Sequence, residues 1–405
     1  MAHDDESVTV VVREFQANKD TERVVTLENT CEVGPTNKLS LFTDMLGDPI
    51  CRLRNSPSFL MLVAEIGQEI VGMIRGCIKT VTCGKGLSRS KPTLTKQIPV
   101  YTKLAYILGL RVSTNHRRMG IGLKLVKKME DWFKDNGAEY SYMATESENL
   151  ASVKLFTDKC GYSKFRTPSI LVNPVYAHRT KISRNVTIIP LTPTDAVTLY
   201  RNRFSTTEFF PRDIDSVVYN KLSLGTFLAV PRGSYSVETW PGPDRFLLGP
   251  PCSWAVLSVW NSKQVFRLEV RGASRVKRAF AKTTRVLDQA FPWLKMPSVP
   301  NLFRPFGFHF LYGLGGEGPK VVKMVKALCG FAHNMAMECG CGVVATEVAS
   351  CEPLRFGIPH WKMLSCTEDL WCIKRLVEDY SHHSLIGDWT KSVPGISIFV
   401  DPRDI

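Results

Sequence analysis

Nowhere in these 405 residues do apolar side chains run on for the roughly 18 positions that a membrane-spanning helix needs. The nearest approach, Phe59–Ile66, stops at Gly67. No basic segment with an apolar stretch behind it opens the chain. Met1–Glu6 is acidic instead, and a secretory leader is not expected. Zinc-ligand spacing is also missing. Cys339-Gly-Cys341, with His333 before it and Cys351 after it, fits no common pattern, so no metal is expected. Without a leader, the 12 cysteines read as reduced thiols, not disulfides. A P-loop is excluded as well. Within Gly313–Lys320, Pro319 interrupts the Gly-Lys pair, and Val321 stands where Ser or Thr is required.

What is present is ordinary in bulk: 44% apolar and 22% charged residues, enough for packed cores over most of the length. At about 100–200 residues per domain the chain holds two or three. A net charge of +14 favours polyanionic partners: coenzyme A, nucleic acid or an acidic protein. The basic groups at Lys79–Lys103 and Arg275–Lys282 lack interleaved aromatics, so a nucleic-acid role rests on charge alone and is not expected. No strong basic localisation cluster occurs, which leaves nucleus and cytoplasm both open.

Along the first half, Val8–Arg13 reads as a strand and Asp20–Asn29 as a helix. Phe59–Ile66 and Glu69–Lys79 are joined by the hairpin signal Gly67-Gln68, and Thr80–Lys103 reads as a long polar loop. Leu104–Val112 is a strongly apolar strand. A helix follows from about Gly120, with Ile121, Leu125, Met129 and Trp132 or Phe133 at helical spacing and Gly137 as its C-terminal cap. Glu139–Thr145 is a strand, and Asn149–Lys159 a helix with Asn149 as N-cap.

Pro168–Asn185 reads as a bridge, after which the order partly recurs. Val186–Ile189 and Thr194–Phe204 read as strand then helix, Thr226–Val230 and Trp254–Trp260 as a hairpin pair, and Phe308–Leu314 as a strand. A Gly-rich loop (Gly315–Pro319), a helix (Val321–Glu338) and a strand (Gly342–Val348) follow. The Gly loops at Gly122 and Gly318 lie 196 positions apart, and the tripeptides Ala144-Thr145-Glu146 and Ala345-Thr346-Glu347 lie 201 apart. Matching order at nearly equal offset points to a degenerate internal duplication.

Arg117-Arg118-Met119-Gly120-Ile121-Gly122 lies between the apolar strand and its helix. Glycines there let backbone approach a ligand, and the first-turn N–H groups of the helix suit a phosphate. By spacing alone this is a weak signal, since a Gly pair often marks only a tight turn.

A second motif strengthens it. Arg117, Gly120 and Gly122 fit R/Q-x-x-G-x-G/A, and Asn149–Tyr162 fits N-x-x-A-x-x-L-Y-x-K-x-G-F. Together they resemble the two signatures of the GCN5-related N-acetyltransferase (GNAT) superfamily. Longer stretches are similar to a plant family of HOOKLESS-type probable N-acetyltransferases: IRGCIKTVTCG (Ile74–Gly84), YTKLAY (Tyr101–Tyr106), RTPSILVNPVYAHR (Arg166–Arg179), FSTTEFFPRDIDSV (Phe204–Val217), LWCIKRL (Leu370–Leu376) and SIFVDPRDI (Ser397–Ile405).

The resemblance implies an α/β fold with a mixed sheet. It implies two tandem lobes: an acetyltransferase lobe over residues 1–175 and a degenerate one over 176–405. It implies acetyl-coenzyme A as co-substrate, and an amine acceptor or regulatory partner that is a protein. Histone lysines, hormone-regulated differential growth in a plant and a nuclear setting come with it. It places the pyrophosphate on Arg117, Arg118, Met119, Gly120, Ile121 and Gly122, the oxyanion donor near Leu110, and backbone pairing to the pantetheine arm at Val112. Asn149, Ser152 and Phe156 fall beside that arm.

Two departures bear on catalysis. Phe156 stands where many members have a tyrosine that protonates the leaving thiolate. Leu104–Val112 contains no carboxylate, and Tyr106 occupies the position at which histone-type members carry a glutamate base. Tyr106 and Glu146 are then the leading candidates for proton transfer, with Glu65 and Glu32 more remote. Two readings stand: an active N-acetyltransferase, or a weakly catalytic regulatory protein that keeps the cofactor site.

Overall fold

A computed structural model describes residues 9–31, 40–87, 98–366, 369–377 and 387–405. The first half gives β1 (Val10–Glu14), α1 (Ala17–Thr30), β2 (Ser40–Asp44), β3 (Ser58–Ile66), β4 (Glu69–Leu87) and β5 (Ile98–Val112). Then come α2 (Ile121–Asp135), β6 (Tyr140–Glu146), α3 (Leu150–Lys154), β7 (Ser163–Arg166) and β8 (Ser169–Pro174). The second half gives β9 (Val186–Leu191), α4 (Pro193–Arg203), α5 (Ile214–Val218), β10 (Ser223–Pro231), α6 (Pro243–Leu248), β11 (Trp254–Asn261), β12 (Arg267–Arg271) and α7 (Arg275–Ala290). It closes with β13 (Phe308–Glu317), α8 (Val321–Glu338), β14 (Val343–Val348) and β15 (Asp369–Arg375).

Two mixed sheets carry the architecture. One has the order β1-β3-β4-β5-β6-β15-β7, the other β8-β14-β13-β11-β10-β9, and β2 pairs β12 apart from both. Read from β1 and from β9, the two orders run in step, each with a single parallel pair at its centre, β5–β6 and β13–β14. They also exchange strands. β15, from near the end of the chain, lies between β6 and β7, while β8, from the first half, pairs β14. The expected boundary at 175 therefore leaves one strand of each half in the other's sheet.

Over Leu104–Leu108 β5 is buried on both faces, which explains the apolar run there. Ala105 and Ile107 pack with α2, whereas Leu104, Tyr106 and Leu108 enter a core shared by the two sheets. That shared core also takes residues of α1, α4 and the C-terminal segment, and α8 covers the far face of the second sheet. Helix α2 lies close on β4 because Gly76 makes room: a Cβ there would meet the Met129 sulfur at 2.5 Å and the Phe133 ring at 2.8 Å.

Three expectations are corrected. Thr80–Lys103 is not one loop: β4 runs to Leu87 and β5 resumes at Ile98, with 88–97 outside the described residues. The extension is held from the second half, Thr82 exchanging backbone hydrogen bonds with Phe209 and Phe210. The Pro168–Asn185 bridge contains β8. Gly315, Gly316 and Glu317 belong to β13 and not to a loop.

The C-terminal segment threads between the sheets. Phe399 meets the rings of Tyr200, Phe210 and Tyr312 edge-on. Lys79 of β4, 3% exposed, contacts Asp401 at 3.3 Å and Asp404 at 2.5 Å. Arg403 grips Asp401 at 2.7 Å and Asp213 at 2.6 Å. Removing one member of such a buried cluster strands the others, so Lys79→Met is expected to cost about 3–5 kcal/mol by urea denaturation. Burial acts to raise the Asp401 carboxyl, but Arg403 and Lys79 outweigh it and hold it far below the ordinary range. Its stabilisation is therefore present above pH about 4 and is lost as pH falls further. The acid limb of the stability curve should flatten in Asp401→Asn.

Candidate functional site

β5 and β6 begin as paired parallel strands and then part. The register runs from Leu104↔Tyr140 to Ile107↔Met143 and stops, although β5 continues to Val112 and β6 to Glu146. The cause lies on the other edge of β5. Across β4–β5 the register slips from Met73↔Arg111 to Arg75↔Leu108, so β5 carries one extra residue at Gly109–Leu110. Such a bulge bends the strand. Gly109 has φ +67°, and a Cβ there would lie 2.7 Å from Arg75 Nη1. Arg75 is a buried wedge beneath the bulge, donating to the Pro49 carbonyl at 2.6 Å and to Glu28 Oε1 at 2.7 Å.

The parting strands face the start of α2. Gly120 caps that helix at φ +76°, a conformation costly for any side chain-bearing residue, and Arg118 beside it also has positive φ, +66°. No side chain caps the helix, and no acidic residue lies in its first turn. Its leading N–H groups are left for a ligand. Arg117, Arg118, Met119 and Gly120 are exposed. A Cβ on Gly122 would lie 3.3 Å from Leu155, 3.8 Å from Val112 and 4.0 Å from Leu110. The bare helix end, two arginines and the end of β5 thus converge on one place. Bare N–H groups with guanidinium charge and no opposing carboxylate fit a pyrophosphate. Leu155, which the sequence reading missed, closes this place from the far side.

The other candidates are placed less uniformly. Asn149 caps α3, its side chain accepting from the Ser152 N–H at 3.2 Å, so these two form a local cap at the edge of the gap. The expected helix to Lys159 loosens after Lys154 into a π-type turn over Leu155–Lys159. Phe156 in that turn is 1% exposed and packs edge-on against Tyr162, with ring centroids 5.1 Å apart. It belongs to the core behind the gap. Tyr106 is buried and stacked on Tyr142 at 4.4 Å. Burial pushes its phenol far above the ordinary range, so it keeps its proton at neutral pH and cannot serve as the base. Glu65 is held below the usual range by Arg13 and also pairs Arg23, which makes it structural. Glu32 lies outside the described residues. Glu146 ends β6, exposed, beside the gap and opposite Asp369 of β15.

In the second sheet the equivalent space is filled by protein. A Cβ on Gly313 would meet the Tyr200 hydroxyl at 2.3 Å, one on Gly316 the Trp254 carbonyl at 2.4 Å, and one on Gly318 would overlap the Cys252 carbonyl. Glu317 is paired with Arg203. These glycines serve close packing. His333, read beside Cys339 and Cys341, accepts from the Tyr176 N–H at 2.9 Å and contacts Thr180. Among the described residues no group of three or more potential ligands gathers for a metal, and no helix is long and apolar enough to cross a membrane.

Known proteins match this arrangement. A family model described as acetyltransferase (GNAT) family matches residues 22–162. Probable N-acetyltransferase HLS1 of Arabidopsis thaliana is 68% identical over 401 residues, covering 97% of this chain and 99% of the relative. Acetyl transferase GW6a of Oryza sativa subsp. japonica is 37% identical over 439 residues, covering 98% of each. Among solved structures, Saccharomyces cerevisiae N-myristoyltransferase with bound myristoyl-CoA superposes with a TM-score of 0.52 at 11% identity, covering 91% of this chain and 79% of that one, a likeness of fold. Acetyl-coenzyme A is the co-substrate of the GNAT family. The chain belongs to the GNAT acetyltransferase family, within the plant HOOKLESS-type group of probable N-acetyltransferases.

Proposed function

We propose that this N-acetyltransferase acts on a primary amine of a protein, histone lysines being one candidate class, in the nucleus or cytoplasm and in the service of hormone-regulated plant growth. The observation that carries the site is the convergence of the uncapped α2 start, Arg117 and Arg118 with the parted end of β5. Acetyl-coenzyme A supplies the activated acetyl thioester. Arg117–Gly122 hold its pyrophosphate, and Leu110 at the bulge and Val112 beyond it offer backbone to its arm. The growth role and the nuclear setting rest on the full-length resemblance to the plant family.

One observation favours a second reading, a regulatory member with weak catalysis. Phe156 has no proton to donate, and Tyr106 cannot give up its own at neutral pH. Both readings require the cofactor site. Gly122→Trp would drive an indole into Leu155, Val112 and Leu110. By calorimetric titration with acetyl-coenzyme A it is expected to weaken binding at least tenfold, about 1.4 kcal/mol. Unchanged affinity in that variant would remove the site assignment. Binding without turnover on any protein amine would favour the regulatory reading.

A further inference from the structure

Two carboxyls not used above stand where the sheets face each other. Asp369 opens β15 opposite Glu146, and Glu347 lies near the end of β14. Along these strands Trp371, Ile373, Val343 and Ala345 all belong to the shared core. Alternation therefore turns Asp369 and Glu347 into the same seam. The Trp371 indole N–H donates to Asp369 Oδ2 at 3.2 Å.

Glu347 is 9% exposed, and its Oε1 has no hydrogen-bond partner. Leaving such an acceptor bare is unfavourable, and a cationic donor from outside the chain would relieve it. The seam also meets the gap. Glu146 ends β6 beyond the point where it leaves β5, and Asp369 is paired to Glu146. Asp369 thus stands on the inner face of the first sheet, at the end of β15 that borders the gap.

We propose that Glu347 and Asp369 form the binding site for the acceptor amine, with Glu347 Oε1 accepting from its ammonium group and Asp369 taking its proton. The inference rests on the acetyltransferase reading above and supplies the base that Leu104–Val112 lacks. The ammonium R–NH3+ gives one proton to the Asp369 carboxylate, leaving R–NH2 and a carboxylic acid. The nitrogen lone pair then forms the N–C bond as the C–S bond breaks with its electrons on sulfur. The nitrogen's surplus proton ends on that thiolate, and Asp369 returns its own to solvent.

The electrostatics agree. Burial, aided by the charge of Glu146, raises Asp369 to about 6, so it is ionised at neutral pH yet basic enough to accept a proton. Burial, then the charge of Asp369, raises Glu347 well above the ordinary range. Asp404 also faces Glu347, while Tyr106 faces the pair with Arg52 beside it. An ammonium in the seam would lower both carboxyls. A chain of net charge +14 can thus capture a cation through a local pair of carboxyls.

The test uses the full chain and the near-isosteric variants Asp369→Asn and Glu347→Gln, with n-butylammonium chloride as the amine probe against sodium chloride at equal ionic strength. The protonated-carboxyl band is followed by difference infrared titration. Wild type should show a transition near pH 6 that is absent in Asp369→Asn. n-Butylammonium should move it to lower pH in wild type and much less in Glu347→Gln. Acetyl-coenzyme A affinity, measured calorimetrically, should be unchanged in both variants. A transition insensitive to n-butylammonium, with normal acetyl-coenzyme A binding, overturns the acceptor site and leaves the acetyltransferase reading intact. Failure of wild type to bind acetyl-coenzyme A overturns that reading, and the acceptor site with it.

Discussion

The exchange of β8 and β15 is the constraint on which the remaining structure depends. Each strand leaves the sheet of its own half and completes the other, so neither sheet closes without the opposite half. One core is therefore shared between the sheets. Into it run Tyr106, Tyr142 and Trp371 from the first, Ala345 and Phe310 from the second, and Phe399 from the C-terminal segment. Arg166 beside β15 is bound at both ends of the second half, to Glu208 at 2.7 Å and to the Ser392 hydroxyl at 2.9 Å. A chain built this way is expected to unfold as one unit despite its length.

The two halves repeat an order of elements but differ in what occupies the critical space. A Cβ on Gly122 would come 3.3–4.0 Å from Leu155, Val112 and Leu110, while on Gly313 and Gly318 it would overlap Tyr200 and the Cys252 backbone. The same glycine-rich pattern thus serves packing in the second half and, in the function we propose, a ligand in the first. The second half keeps a part in the site through its geometry: it walls the inner face of the first sheet and brings Glu347 to the seam.

Much of this was legible in the sequence because it rests on local rules. Periodicity placed α2 and α8, the Gly67-Gln68 signal placed the β3–β4 hairpin, and the cradle fell between a strand and a helix. The rest depends on contacts remote in sequence. β8 hid in a supposed bridge because Ser169–Pro174 is short, and its partner β14 lies about 170 residues away. β15 read only as part of a resemblance, and no local pattern reveals that it opens with a carboxyl facing Glu146. Burial of Tyr106, which raises its phenol, and of Phe156, which turns it into the core behind the gap, follows from the shared core and from α2, and neither burial is visible in a linear motif.

The central claim is that one half of the chain, and not both, holds the acyl donor. Equilibrium dialysis of the full chain against labelled acetyl-coenzyme A gives the number of sites directly. One molecule bound per chain at saturation is the result this account predicts. Two per chain would mean that the filled space around Gly313 and Gly318 opens to ligand, and none would mean that the cradle at Arg117–Gly122 is not a coenzyme site.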